Sequence, residues 1–178
     1  MKKMKRLLTA VIAAALVIAT IPTALAAGGI FSDVPNGAWY ADAVDYVYEH
    51  GIMNGTSATT FSPNTPMTRA MLVTVLHRAA GSPSAATGTA FSDVPSGAYY
   101  TDAVAWASAN SIVTGYGNGR FGSNDPVSRA QIAAILWRYA GSPSAEAGQD
   151  FADESSIPAY ASAAVDWARA NGVVNGTT

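Results

Sequence analysis

Two five-residue strings carry the most informative chemistry in this sequence: Met67-Thr68-Arg69-Ala70-Met71 and Val127-Ser128-Arg129-Ala130-Gln131. Pro66 and Pro126 keep the preceding chain extended, and Thr68 and Ser128 are residue types that cap a helix N-terminus. Each Arg therefore falls in the first turn of a predicted helix. A cation there opposes the helix dipole by ~0.3–1 kcal/mol, yet both strings keep it. Backbone N–H groups, a positive helix end and a guanidinium fork together suit a carboxylate or phosphate. An ion pair with an acid such as Asp33 or Asp93 is the structural alternative, and the residues alone leave both open. Ser128 and Gln131 also have capping-box spacing, whereas Met71 leaves the Thr68 box half absent.

Other chemistries find little support. Asp45 and Glu49 stand at i, i+4, the spacing of a carboxylate pair on one helix face, but the corresponding positions later in the chain do not repeat the pair. A solvated face accounts for it better than glycosidase chemistry does. No Gly-x-Ser-x-Gly, His-Glu-x-x-His or phosphate-loop string occurs, so no enzyme activity is expected. There is no Cys and there are two His. The loop 117–125 is too poor in carboxylates for calcium. Neither a metal nor a cofactor is expected.

The elements that must position the arginines form a repeat. Phe31-Ser32-Asp33-Val34-Pro35 recurs 60 residues on as Phe91-Ser92-Asp93-Val94-Pro95, and the register holds through Phe61/Phe121, Arg69/Arg129 and Gly81/Gly141. A third copy opens at Phe151 with Asp153 in the Asp33 place and continues at an offset of 61. It runs only through its first half, which suggests a truncated chain. Each full unit reads as helix, loop, helix. The first helix is predicted over Trp39–His50, Tyr99–Asn110 and Tyr160–Asn171. Tyr46, Trp106 and Trp167 recur on it as core residues. A Gly-rich loop follows from Gly55 and from Gly115, with a short strand or turn around Phe61 and Phe121. The second helix starts at Thr68 and Ser128, with the apolar stripes Leu72, Val75, Leu76, Ala79 and Ile132, Ile135, Leu136, Tyr139. Arg78 and Arg138 lie in its last turn, where a cation suits the dipole. Units of this kind bury their apolar faces on one another.

The first 26 residues read as an export signal: a basic start, an apolar run from Leu7 to Ile21, Pro22, then Ala24-Leu25-Ala26 before the expected cleavage. The chain has ten Lys and Arg against twelve Asp and Glu. Four of the ten cations, Lys2, Lys3, Lys5 and Arg6, lie in that signal, leaving six arginines and a net charge of −6. A nucleic-acid partner is excluded on that balance. Contact with membrane is expected only through the uncleaved signal.

Taken together, Phe-x-Asp-Val, an aromatic before the first helix, the loop glycines and Pro-x-[Thr/Ser]-Arg-Ala resemble surface-layer homology (SLH) repeats. The resemblance runs from Phe31 to the end of the chain. It divides the sequence into signal 1–26, repeats 27–90 and 91–150, and a partial repeat 151–178. It implies a mainly α fold of tandem helix-loop-helix units with pseudo-threefold symmetry. It further implies an exported cell-wall anchoring module whose inter-repeat grooves bind a secondary cell-wall polysaccharide, often one bearing pyruvate ketals. Carried onto this sequence, the ligand-binding residues are Arg69 and Arg129, Asp33 and Asp93, the aromatics Trp39 and Tyr99, and the loop glycines Gly55 and Gly115. Tyr160 takes the aromatic position and Asp153 the Asp position in the third copy. The family Glu is replaced by Met71 and Gln131. Two further readings stay open: an N-terminal fragment of a larger surface-layer protein or SLH-anchored enzyme, and a self-associating surface protein completed through repeat 3.

Overall fold

The computed structural model describes residues 29–85, 88–144 and 151–176. The export signal over 1–26 lies outside the described residues. Among those described there are five α-helices: α1 Ala41–Glu49, α2 Arg69–Ala79, α3 Thr101–Ala109, α4 Arg129–Tyr139 and α5 Ser162–Ala170. Two 3-10 turns, Glu154–Ser156 and Ala159–Ala161, precede α5. The fold is mainly α, and of the short strand or turn expected around Phe61 and Phe121 the structure has the turn, in which the Thr65 and Asp125 N–H groups donate to the Ser62 and Gly122 carbonyls. An isolated antiparallel bridge joins Thr68 to Pro126.

The first helix of each unit starts two residues later than its sequence suggests. Ala38 and Ala98 accept hydrogen bonds from Ala41 and Thr101 N–H in a tight turn, so Trp39 and Tyr99 sit in that turn and point outward. The second helices start where the capping residues place them. Thr68 accepts the Met71 N–H at 3.2 Å. Ser128 and Gln131 exchange both bonds of a full capping box, at 3.2 and 3.0 Å. Met71 leaves the α2 box half made, and the next repeat satisfies two other donors of that helix start: the Arg69 and Ala70 N–H groups donate to Asp125 and Ser123 carbonyls at 3.0 and 3.1 Å. These are the donors that a helix start otherwise leaves orphaned.

Helix pairing crosses repeats. α2 of repeat 1 packs on α3 of repeat 2, and α4 of repeat 2 packs on α5 of repeat 3. Leu72, Val73 and Leu76 meet Val104, Ala107, Phe121 and Ile135 in the main core, while Ala133 and Ala134 meet Ala164, Val165 and Trp167 in a second cluster. Val73, outside the predicted stripe, is completely buried because α2 has neighbours on two sides. The same logic separates the three equivalent aromatics. Trp106 and Trp167 are buried against a preceding second helix, whereas Tyr46 on α1 has none and remains 43% exposed, stacked on His50 at 4.0 Å.

Within each unit, the motif aspartate ties the start to the loop. Asp33 accepts the Phe61 and Ser62 N–H groups at 2.7 Å each, and Asp93 accepts those of Phe121 and Gly122 at 2.7 and 2.8 Å. The Phe61 N–H bond is the largest influence on Asp33, outweighing desolvation and holding its pKa below the usual 3.8. At Asp93 burial is the largest single influence and pushes the pKa up, but the Phe121 and Gly122 bonds, with Arg120 nearby, together bring it below 3.8. A carboxylate with a lowered native pKa contributes stability that is fully present above about pH 4 and is lost as the pH falls through the native value. Asp93→Asn keeps one acceptor and turns an N–H toward the other donor. It is expected to lower stability by about 1 kcal/mol at pH 7. In urea titrations its deficit against the wild type should shrink steadily below pH 4.

Candidate ligand-binding grooves

The loop glycines hold the loops against the motif phenylalanines. Gly55 has φ +76°, and a Cβ there would lie 2.5 Å from the Thr60 carbonyl and 2.6 Å from Phe31 Cε1. Gly115 is crowded in the same way, by the Arg120 carbonyl at 2.5 Å and Phe91 Cε1 at 2.6 Å. The loop is thereby drawn close to the second helix of its own unit. The next unit's aromatic turn completes the wall, and a groove results at each junction.

The first groove, of about 430 Å³, is lined by the loop Met53–Thr56, by Met71, Thr74, Val75 and Arg78 of α2, and by Tyr99 of repeat 2. The second, of about 240 Å³, is lined by Val113–Tyr116, by Gln131, Ala134, Ile135 and Arg138 of α4, by Tyr160 of repeat 3, and by Arg69. Apart from Arg69 and Phe61, the two linings are the same positions 60 residues apart, with Tyr160 at 61 from Tyr99. Burial pushes the Tyr99 and Tyr116 phenols above their ordinary 10.0, so both keep a donor O–H at neutral pH.

Arg69 crosses from one repeat into the next. It is 5% exposed. Its Nε donates to the Phe121 carbonyl at 2.9 Å and its Nη2 to the Thr114 carbonyl at 3.0 Å, both in the repeat 2 loop. The rings of Tyr116 and Phe121 each lie 4.8 Å from its guanidinium carbon. Arg129 makes the corresponding reach into repeat 3, donating from Nη2 to the Asn175 carbonyl at 2.6 Å, but it is exposed.

Several expected placements change. The α2 start offers no open N–H pair to an anion, because repeat 2 carbonyls occupy the Arg69 and Ala70 donors. Neither Asp33 nor Asp93 pairs with Arg69; the ion pair among the described residues is Arg120–Asp93, at 3.8 Å. Both aspartates lie outside the groove linings, with their carboxylates engaged by loop N–H groups. Trp39 is 95% exposed beside Tyr40 and meets no groove. Tyr99, Gly55, Gly115 and Arg69 do line grooves, and Arg129 lines a separate hollow with Phe151 and Asp153. Arg78 and Arg138, read from sequence as complements to the helix dipole, are groove residues as well. The signal was present: Gln131, Ala134, Ile135 and Arg138 follow i, i+3, i+4, i+7 and so share one helix face.

One exchange between the grooves is compensated. Tyr116 replaces Thr56, and Gly122 replaces Ser62. Thr56 and Ser62 share a 2.6 Å hydroxyl–hydroxyl bond, whereas a Cβ at Gly122 would run into the Tyr116 ring.

This architecture defines a helical repeat protein whose surface grooves form between units. A family model described as the S-layer homology domain matches residues 30–70, 90–133 and 150–178. An endoglucanase of Bacillus sp. (strain KSM-635) is 34% identical over 83% of this chain and 16% of its own length. A cell surface protein of Thermoanaerobacter kivui is 33% identical over 79% of this chain and 19% of its own. The S-layer protein sap of Bacillus anthracis is 29% identical over 74% and 16%, respectively. The chain belongs to the S-layer homology domain family. It is a secreted surface-anchoring module of the cell surface or wall, and it spans less than a fifth of the length of these relatives.

The buried Arg69 gives a direct test of the repeat junction. Arg69→Ala leaves the Phe121 and Thr114 carbonyls without their donor and should cost about 2–4 kcal/mol in urea unfolding. Arg69→Lys keeps the charge but not the fork and should recover only part of that loss. Arg129→Ala, at an exposed bond, should cost about 1 kcal/mol or less.

Proposed function

We propose that this chain attaches non-covalently to a secondary cell-wall polysaccharide, linked to peptidoglycan and carrying pyruvate ketals, by holding sugar residues in its two inter-repeat grooves. The supporting observation is the duplication: each groove sets one exposed aromatic from the following repeat beside an arginine from the end of a second helix. Tyr99 and Tyr160 offer ring faces to a sugar, and Arg78 and Arg138 offer planar forks to sugar oxygens, those of a pyruvyl carboxylate among them. Gly55 and Gly115 leave backbone close to the ligand in each groove. Arg69 contributes its charge to the second groove while holding the loop, and Arg129 has the matching place toward repeat 3. Asp33 and Asp93 act on the ligand through the loops they tie. Trp39, in the position that Tyr99 and Tyr160 take, offers its exposed ring to sugar outside the two grooves. In this reading the export signal is 1–26 and the anchoring units are 27–90, 91–150 and 151–178. Attachment proceeds with no catalytic step in this segment.

A second reading is favoured by length. The chain spans 16% of the endoglucanase and 16% of the S-layer protein sap, as expected of the anchoring segment of a larger surface-layer protein or SLH-anchored enzyme. The groove chemistry is the same in either reading.

Co-sedimentation with purified bacterial cell walls, before and after extraction of the secondary polysaccharide, tests the proposal. The wild type is expected to pellet with intact walls and to stay in solution with extracted ones. Arg78→Gln/Arg138→Gln should lower the pelleted fraction at least tenfold while its unfolding midpoint stays close to the wild type's. Arg69→Ala is unsuitable as the binding control, since its effect on folding would mimic lost affinity. Equal pelleting with extracted walls would refute polysaccharide anchoring.

A further inference from the structure

The two grooves share a plan but not a charge. Arg69 is a buried cation with no carboxylate within 4 Å among the described residues. Its bonds to Phe121 and Thr114 carbonyls orient the ion without neutralising it, and a buried charge without a counter-charge is a standing cost. Arg138 lines the same groove of about 240 Å³, so two guanidinium groups border one small space. Asp125 approaches the Tyr116 phenol but reaches neither arginine within ion-pair distance. Gln131 adds an amide to the same lining, and the Tyr116 phenol lies between it and Asp125 with its ring against the Arg69 guanidinium.

The first groove differs at each of these points. Arg78 is the sole cation in its lining, Met71 stands for Gln131, and Thr56 stands for Tyr116. The Thr56 hydroxyl is already engaged by Ser62 and Thr60, at 2.6 and 3.2 Å. The space is larger, about 430 Å³, and richer in apolar side chains.

We infer that the grooves divide the ligand between them: the groove between repeats 2 and 3 takes the anionic sugar, read by Arg69, Arg138 and Tyr116, and the groove between repeats 1 and 2 takes an uncharged stretch of the same polymer. This rests on the groove reading above and goes beyond it, because two equivalent grooves would each take a charged residue. An anion in the second groove supplies the counter-charge that Arg69 lacks and relieves its repulsion from Arg138.

The test is a titration of the purified chain with the methyl glycoside of a pyruvate-ketal hexose, against the same glycoside without the ketal. Tyr ring signals are followed by NMR and stoichiometry by calorimetry. The charged probe is expected to bind at one site per chain, shifting the Tyr116 and Tyr160 signals at concentrations that leave Tyr99 unmoved. Arg138→Gln should weaken that binding at least tenfold, while Asp45→Asn, exposed on α1 and outside both grooves, should bind as the wild type does. The uncharged probe should show no preference for Tyr116 and Tyr160. Parallel shifts at Tyr99 and Tyr116, or unchanged affinity in Arg138→Gln, would overturn the division and leave groove binding standing. No shift at any of the three rings, in protein that still pellets with walls, would overturn the groove reading itself.

Discussion

The junction between repeats depends on one buried cation. Arg69 begins a helix in repeat 1 and ends beneath the loop of repeat 2, between two aromatic rings and two carbonyls. Fixing the loop in that way positions Phe121, which is completely buried, and Phe121 in turn seals the core that α2 shares with α3. The Asp93 carboxylate holds the same loop from the opposite side through Phe121 and Gly122. A loop with few apolar anchors of its own is thus clamped by two charged groups from different units, and one wall of the second groove follows from that clamp.

Because the helices pair across repeats, no unit closes its own core. α1 has no second helix against it among the described residues: Val44 is its one buried residue, and Tyr46, Tyr48 and the neighbouring Trp39 are exposed. α3 and α5, each lying on a preceding second helix, bury most of their apolar surface. Stability in such a chain accrues at interfaces between neighbours rather than within units. The grooves occur at those same interfaces, so the contacts that fold the protein also shape its grooves.

Much of this was legible in the sequence. The 60-residue period gave the units, and Thr68, Ser128 and Gln131 gave the second-helix starts and the capping box. Two kinds of information were not local. Arg69 reads as an anion ligand because its unusual place at a helix start is visible, whereas the carbonyls that receive it lie about fifty positions away. Arg78 and Arg138 satisfy a helix dipole so well that nothing nearby asks for a second role. Trp39 matches Tyr99 in sequence, yet only Tyr99 has a preceding second helix to face. Periodicity identifies which residues are equivalent; it does not tell which of them have neighbours.

The compensated exchange at Thr56/Ser62 and Tyr116/Gly122 couples two positions in each loop. A tyrosine introduced at position 56 alone would meet the Ser62 Cβ where repeat 2 has only a hydrogen, and a serine at 122 alone would strike Tyr116. Each single change alone gives a poorly packed loop, so the two residues belong together. The loop from residue 55 to 62, or from 115 to 122, is then the smallest piece that can be exchanged between repeats to remodel one groove on the other while the helices stay as they are.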